Sequence, residues 1–399
     1  MTAGRLVFLL CLAEIASMLG FAVFPALLPI FLSDWRLSAG EAGWLSGVFF
    51  AGYMGAVPVL TALTDRFDAR RIFLCGSLLS GLASLLFALL AQDFWSAVPL
   101  RLLAGAGLAG TYMPGLKALT DRLAPAAQPR AVSFYTSSFG LGASASYFLS
   151  GEVAALADWR WAFALAGLGG LAAFAIVAAA LRPLPPTAPA SAWRVLDFRP
   201  VLRNREAMGY VLAYAAHNWE LFGLRSWIVA FLVFAASQAQ AETAGFWSAT
   251  AIAALLNLLG TPASILGNEA ATRFGRRRMA ACFQLVSAGF AGCVALSVGI
   301  AYPMLIGLLG LYAMLLMSES AAVTTGAVQA ARPERKGATM ALHSTLGFAL
   351  AFLGSLAPGL VLDAAGGTGS AVAWSLAFLS MGAGVALGPL ALWLTRPRG

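Results

Sequence analysis

Apolar stretches of twenty or more residues recur along the whole chain, separated by short polar or basic turns. At 1.5 Å per residue, each is long enough to cross about 30 Å of hydrocarbon as an α-helix. The pattern predicts roughly twelve spans. Their approximate limits are 6–32, 40–63, 71–91, 95–118, 131–154 and 160–181, then 207–235, 243–270, 279–300, 303–331, 338–362 and 370–395. The one long break runs from Arg182 to Arg205 and is rich in Pro, Ala and Arg. The expected fold is an all-α membrane protein of two six-helix bundles, 1–181 and 207–399, joined by a cytoplasmic linker, 182–206. Trp193, Leu196 and Phe198 lie among arginines in that linker. They fit either a short segment lying on the cytoplasmic leaflet or a plain tether.

The halves echo each other. Asp65-Arg66-Phe67-Asp68-Ala69-Arg70-Arg71 returns as Thr272-Arg273-Phe274-Gly275-Arg276-Arg277-Arg278, an offset of 273 − 66 = 207 residues. Ala131 and Ser137-Ser138-Phe139-Gly140 return at the same offset as Ala338 and Ser344-Thr345-Leu346-Gly347. Two echoes at one offset point to a duplicated, pseudo-symmetric bundle.

Composition excludes a water-soluble domain: 60% of the residues are hydrophobic, 11% are charged and the mean hydropathy is +0.82. Soluble domains carry about 25% charged residues. The net charge of +8 would fit a nucleic-acid partner if the cations were clustered in a soluble region, but they gather in alternate loops. Arg66, Arg70, Arg71, Lys117, Arg122, Arg130, Arg273, Arg276, Arg277, Arg278, Arg332, Arg335 and Lys336 fall on one side with the linker arginines and both termini, whereas Arg36 and Arg160 fall on the other. The positive-inside rule puts both termini and the linker in the cytoplasm, which requires an even number of spans. The basic charge therefore reports topology, and no nucleic-acid partner is expected. Cys11, Cys75, Cys282 and Cys293 lack ligand spacing and read as packing residues. Arg5 before an apolar run is signal-like, but the run continues to about Leu32 and carries Glu14, so it reads as an uncleaved first helix.

Two six-helix halves, a central linker and a basic turn repeated between the second and third span of each half resemble the major facilitator superfamily of secondary transporters. The resemblance covers the whole chain. In that family the turn reads Gly, three residues, Asp, Arg or Lys, one residue, Gly, one residue, Arg, then Arg or Lys. Asp65, Arg66, Arg70 and Arg71 match it, while Thr61 and Asp68 replace the two glycines. The second copy keeps Arg273, Gly275, Arg277 and Arg278 and has Thr272 in place of the acid. The resemblance implies that Asp65, Arg66, Arg70, Arg71, Arg273 and Arg277 form a conformational lock. It also implies a proton-coupling role for Arg101, which precedes Gly105, Gly107 and Gly110 in the fourth span. Trp159, in the run Asp158-Trp159-Arg160-Trp161, reads as an anchor at the edge of the sixth span. The Gly-Pro element of the family's drug–proton antiporters is missing from the fifth span.

Gly105-Ala106-Gly107-Leu108-Ala109-Gly110 matches a dinucleotide fingerprint by letter, but it lies inside an apolar helix without the preceding strand that the fingerprint needs. Small residues there favour close helix packing instead. No phosphate-loop lysine, His-Glu zinc or nucleophile-elbow pattern occurs. An enzyme is not expected, nor is a cofactor or bound metal. Met314, Met317, Met340 and His343 are read as apolar filler with one titratable neighbour.

Ionisable groups inside spans are costly and so mark candidate sites. Glu220 lies 220 − 207 = 13 residues into span seven, and Glu319 lies 319 − 303 = 16 residues into span ten, too deep to reach water easily. Tyr210, Tyr214, His217, Asn218 and Arg225 share one face of span seven at 100° per residue, a stripe expected to line the central cleft. Ser133, Ser137, Gly140, Ser144, Tyr147 and Gly151 form a small polar face on span five, either a cavity wall or a packing surface.

Proton-coupling candidates are thus Glu14, Arg101, His217, Glu319 and His343. Substrate-binding candidates are Tyr112, Tyr214, His217, Asn218, Glu220, Arg225, Asn257 and Glu319. The expected function is proton-coupled movement of a small solute across a bacterial-type inner membrane by a monomer, through alternating access at a midplane site. A small organic or inorganic anion is favoured because buried arginine offers a fixed fork to carboxylate-like groups. An internal ion pair of Arg225 with Glu220 or Glu319 would leave the solute's charge open. Drug or metabolite efflux and a non-transporting sensor are the alternatives.

Overall fold

The structure is a computed structural model that describes residues 2–185, 197–239 and 247–396. Trp193, Arg194 and Leu196 of the linker, and Arg398, lie outside the described residues. All regular structure among the described residues is helical. The first half comprises α1 (Ala3–Ser17), α2 (Val23–Ala26), α3 (Leu28–Asp34), α4 (Ala39–Leu63), α5 (Ala69–Leu90), α6 (Phe94–Ala109), α7 (Tyr112–Thr120), α8 (Gln128–Leu156) and α9 (Trp159–Ala180). The second comprises α10 (Arg199–Leu202), α11 (Arg205–Gln238), α12 (Ala249–Phe274), α13 (Arg276–Leu296), α14 (Tyr302–Ser318), α15 (Ser320–Ala330), α16 (Lys336–Ala364), α17 (Ala371–Val385) and α18 (Leu387–Leu394).

Ten stretches among the described residues are long and apolar enough to cross a membrane. The two other expected spans differ for physical reasons. The fourth is divided between α6 and α7, and the fifth, α8, is 29 residues long but diluted by Ser, Thr and Gly.

The interruptions follow the repeat. Span four breaks at Gly110-Thr111 and span ten at Glu319, one residue past the position 111 + 207 = 318. Both hydroxyls bond back into the preceding turn, Thr111 to the Leu108 carbonyl at 2.9 Å and Ser318 to the Met314 carbonyl at 2.8 Å. Span one also breaks, through a 3-10 turn at Met18–Gly20. Ser146 of α8 repairs that break: its hydroxyl donates to the Leu19 carbonyl at 2.6 Å and accepts from the Ala22 amide at 3.0 Å. A broken helix is tolerated at membrane depth only when such partners replace the lost bonds.

The chain divides into two compact units, Met1–Leu27 with Val48–Leu196 and Leu28–Gly47 with Asp197–Gly399. The segment Leu28–Gly47, placed in the first bundle by sequence order, thus groups with the second. In the first unit, glycines carry the packing. A Cβ on Gly105 would collide with the Phe49 carbonyl oxygen, and one on Gly76 would lie 2.7 Å from the Gly110 Cα. The glycine run of span four is therefore where α6 meets α4 and α5 backbone to backbone, as close packing of membrane helices requires. Stacked Phe87 and Phe163, with centroids 3.9 Å apart, join α5 to α9. In the second unit α11 is the hub; Trp227 donates to the Ser355 carbonyl of α16 at 2.8 Å, and Trp219 to the Ser380 carbonyl of α17 at 3.0 Å.

Candidate functional site

The second unit buries a polar cluster built from α11, α13, α14, α15 and α16. Glu319 sits at the joint of α14 and α15, fully buried. Its Oε1 lies 2.9 Å from His217 Nδ1 on α11, also fully buried. At that distance one proton lies between the imidazole nitrogen and the carboxyl oxygen, and which group donates depends on the tautomer and charge of the pair. One turn along α11, Glu220 accepts from the Ser287 hydroxyl at 2.8 Å and the Tyr312 hydroxyl at 3.0 Å. The buried carboxylates of Glu319 and Glu220 thus take imidazole and hydroxyl partners. Arg225 is half-buried, with its guanidinium 5.6 Å from the Phe222 ring centroid.

His343 of α16 stacks on Tyr214 of α11, with centroids 3.8 Å apart and planes 14° from parallel. Thr324 donates its hydroxyl proton to the Ser320 carbonyl at 3.0 Å, so at 3.5 Å from His343 Nε2 it can only accept. That arrangement favours the tautomer with the proton on Nε2. Gly347 makes the close approach possible, since a Cβ there would strike the Tyr214 ring and lie 2.6 Å from Asn218 Nδ2. Among the described residues, four buried atoms of the cluster find no hydrogen-bond partner: His217 Nε2, Asn218 Nδ2, Glu319 Oε2 and His343 Nδ1. Buried polar atoms are costly to leave unpaired, and an arrangement that keeps several in one cluster is chemically prepared to take a proton or a polar solute group. The polar stripe of span seven thus packs on α14, α15 and α16, with Tyr210 lying against Gly326. Asn257 is half-buried on α12.

The first unit holds a smaller cluster. Glu14 of α1 is fully buried and accepts from the Tyr135 hydroxyl of α8 at 2.9 Å, with Ser17 at 3.4 Å. Its Oε1 has no hydrogen-bond partner. Tyr112, the first residue of α7, stacks on Tyr135 at 6.0 Å and meets the edge of Phe139 at 5.1 Å. Arg101 is buried between aromatic faces, its guanidinium 5.1 Å from the Phe24 centroid and 4.6 Å from that of Phe49. Each such contact is worth about 2 kcal/mol or more when desolvated.

At the basic turn of the first unit, Asp68 gathers several partners. Asp68 caps α5 by accepting from the Arg70 amide at 3.0 Å, and also accepts from the Leu184 amide at 2.8 Å and Arg122 Nη2 at 2.9 Å. Burial works to raise the Asp68 carboxyl, but the Leu184 and Arg70 amides and the Arg122 guanidinium outweigh it and hold it below the usual carboxylate range. Arg70 donates to the Ala178 carbonyl at 3.0 Å. Asp65 is half-buried, and Arg66 and Arg71 are exposed. In the second unit Arg277 donates to the Leu392 carbonyl and lies 5.4 Å from the Tyr210 ring centroid, while exposed Arg273 lies over Phe274.

Sequence reasoning missed Asp68, Arg122, Tyr135, Ser287 and Tyr312 as partners. A hydroxyl in an apolar span is an ordinary residue until the fold aims it at a carboxylate.

A family model described as the Major Facilitator Superfamily matches residues 10–355. The chain belongs to that superfamily. Its members are membrane transporters rather than enzymes, and the apolar helices agree with a multi-pass integral membrane protein. The fold is similar to that of a bacterial homologue of the human lysosomal transporter Spinster in an inward-facing and occupied conformation. The TM-score is 0.80 at 17% identity, covering 98% of this chain and 96% of that one. Human protein spinster homolog 1 is 26% identical over 249 residues, 58% of this chain and 46% of the relative. Zebrafish (Danio rerio) protein spinster homolog 3 is 27% identical over 207 residues, 49% and 41% of the two chains. The matches thus span less than half the length of these relatives. The 3-(3-hydroxy-phenyl)propionate transporter of Escherichia coli is 36% identical over 152 residues, 37% of this chain and 36% of that protein.

Proposed function

We propose that this chain is a secondary transporter that carries a small organic anion across a bacterial-type inner membrane by alternating access, with protons as the coupling ion. The observation that carries the reading is the buried His217–Glu319 pair at the broken point of span ten. A proton moved onto or off this pair changes its charge at membrane depth, where charge is expensive, and so changes which conformation is favoured. Glu14 is the corresponding proton carrier of the first unit, with Tyr135 as its fixed donor and Arg101 as a further coupling candidate. Arg225 supplies the planar fork for a carboxylate. The stacked Tyr214–His343 pair offers an aromatic wall. The Escherichia coli relative is a transporter of 3-(3-hydroxy-phenyl)propionate, an aromatic carboxylate, which favours an anion of that class. Tyr112, Asn218, Glu220 and Asn257 complete the solute-binding candidates. The basic turns, Asp65, Arg66, Arg70 and Arg71 with Arg273 and Arg277, act in conformational balance, and both termini face the cytoplasm. The transporter works as a monomer.

The test is uptake by proteoliposomes. An imposed pH gradient should drive accumulation of 3-(3-hydroxyphenyl)propionate, and a protonophore should abolish it. Accumulation indifferent to the gradient would refute proton coupling; absence of counterflow with aromatic and aliphatic carboxylates alike would refute the anion.

A further inference from the structure

Tyr135 of α8 has one hydroxyl proton and two acceptors within reach, both in the first compact unit. Glu14 Oε2 on α1 lies 2.9 Å from the hydroxyl oxygen, and the Thr111 carbonyl oxygen lies 3.3 Å from it. That carbonyl belongs to the joint of α6 and α7 and accepts the Gly115 amide at 2.8 Å. A carbonyl oxygen has two lone pairs, so it has room for the phenol as a second donor. Gly115 provides the space, since a Cβ there would strike the Tyr135 hydroxyl.

The second half shows what the arrangement requires. At the repeat offset Glu14 becomes Leu221 (14 + 207), Tyr135 becomes Leu342 (135 + 207) and Gly115 becomes Ala322 (115 + 207). The acid, the phenol and the missing Cβ are absent there together.

The charge on Glu14 decides where the phenol proton goes. An ionised carboxylate is both the stronger and the nearer acceptor, so it takes the hydroxyl. A protonated Glu14 needs an acceptor of its own. Its Oε1 has no hydrogen-bond partner among the described residues, and Ser17 Oγ, 3.4 Å from Oε2, is farther away than the phenol. A proton on Oε2 is therefore best donated to the phenol oxygen, and the phenol proton then turns to the Thr111 carbonyl. One proton enters on Glu14, none leaves Tyr135, and only the direction of the hydrogen bonds changes. The other titratable groups around this pair are Cys11, one turn earlier on α1, and Tyr112 of α7. To the same core α5 contributes Phe73, and α9 contributes Ala173 and Val177.

We propose that Tyr135 is a positioning residue that carries the protonation state of Glu14 to the joint of α6 and α7. Tyr112, a solute-binding candidate, follows Thr111 directly and stacks on Tyr135, so it is the side chain that this joint aims. The proposal rests on the reading of Glu14 as a proton carrier.

Infrared difference spectra between neutral and acidic pH test it, on the full-length protein in lipid nanodiscs with isotope-labelled threonine carbonyls. Acidification should raise a protonated-carboxyl band that Glu14→Leu removes. With it, one threonine carbonyl band should shift to lower frequency, and Thr111→Ser should delete that band. In Tyr135→Phe, which keeps the ring, the carboxyl band should persist while the threonine band stays at its neutral-pH position throughout. In Glu14→Leu the phenol has only the carbonyl left, and the threonine band should sit at its acid position at every pH. A merely structural tyrosine does not give opposite locked positions in the two variants, and Glu14→Leu keeps the test open if Tyr135→Phe fails to fold. A threonine band that still moves with pH in Tyr135→Phe would overturn the proposal. So would one at the neutral position in Glu14→Leu or, in the parent, one that ignores a titrating Glu14. Absence of any Glu14 carboxyl band from the difference spectra would remove the proton carrier itself, and the relay with it.

Discussion

Arg70 and Arg277, one repeat apart, do the same job in the two halves: each donates to a backbone carbonyl near the end of its half's last span, Ala178 and Leu392. Beside them the halves diverge. The first has Asp68, whose carboxylate gathers Arg122 and the amides of Arg70 and Leu184. The second has Gly275 at the matching position, with φ +97 and open space where a Cβ would sit. One turn is held by charge and the other by backbone conformation. The buried polar groups differ in the opposite sense. The first unit pairs a single carboxylate, Glu14, with a tyrosine, whereas the second gathers Glu220, Glu319, His217 and His343 around three hydroxyls. Duplication preserved the scaffold bonds and let the chemistry specialise.

The strongest attack on this contrast is a pair of matched substitutions, Glu319→Gln and Glu14→Gln. If the second unit carries most of the coupling, Glu319→Gln should lower gradient-driven accumulation by about tenfold or more while gradient-free exchange survives, the scale of a coupling energy of 1–3 kcal/mol. Glu14→Gln should do distinctly less. Equal losses would erase the proposed division of labour.

Next in size is the turn itself. Asp68→Ala strands the Arg122 guanidinium and two amides, and should destabilise the protein by about 3 kcal/mol in thermal unfolding. Asp65→Asn should change stability far less, and a reversal of that order would restore Asp65 as the central acid. Because the folded-state value of Asp68 is depressed, its contribution is complete above its ordinary value of 3.8 and is lost as pH falls through and below that point. Melting temperature should accordingly drop below about pH 4 in the parent and drop less steeply in Asp68→Asn.

Arg225→Lys keeps the charge but loses the planar fork, and should weaken carboxylate binding by about tenfold, the worth of one charge-assisted hydrogen bond. Unchanged affinity by calorimetry would remove Arg225 from the site. The smallest effect is expected at the other turn. Gly275→Ala meets no neighbour, so its penalty is backbone strain alone, about 1 kcal/mol. A loss as large as that of Asp68→Ala would show that the two turns are not held differently.

Much of this molecule is written along the chain. Apolar length predicts the spans, the distribution of arginine predicts which loops share a side, and the offset of 207 residues relates the two halves. These are local or periodic properties, set by helix rise and by the cost of placing charge in hydrocarbon. The sequence also marks Glu14, Glu220, Glu319, His217 and Arg225 as exceptional, because each is expensive where it stands. It cannot assign their partners. That His217 bonds Glu319 while Glu220 bonds Ser287 and Tyr312, that Asp68 gathers Arg122, and that Asp363 reaches the start of α4 across 324 positions, are decided by how helices cross. Crossing depends on where glycines let backbones approach and on which way side chains point at contact. Those are properties of pairs of helices, and only the tertiary structure contains them.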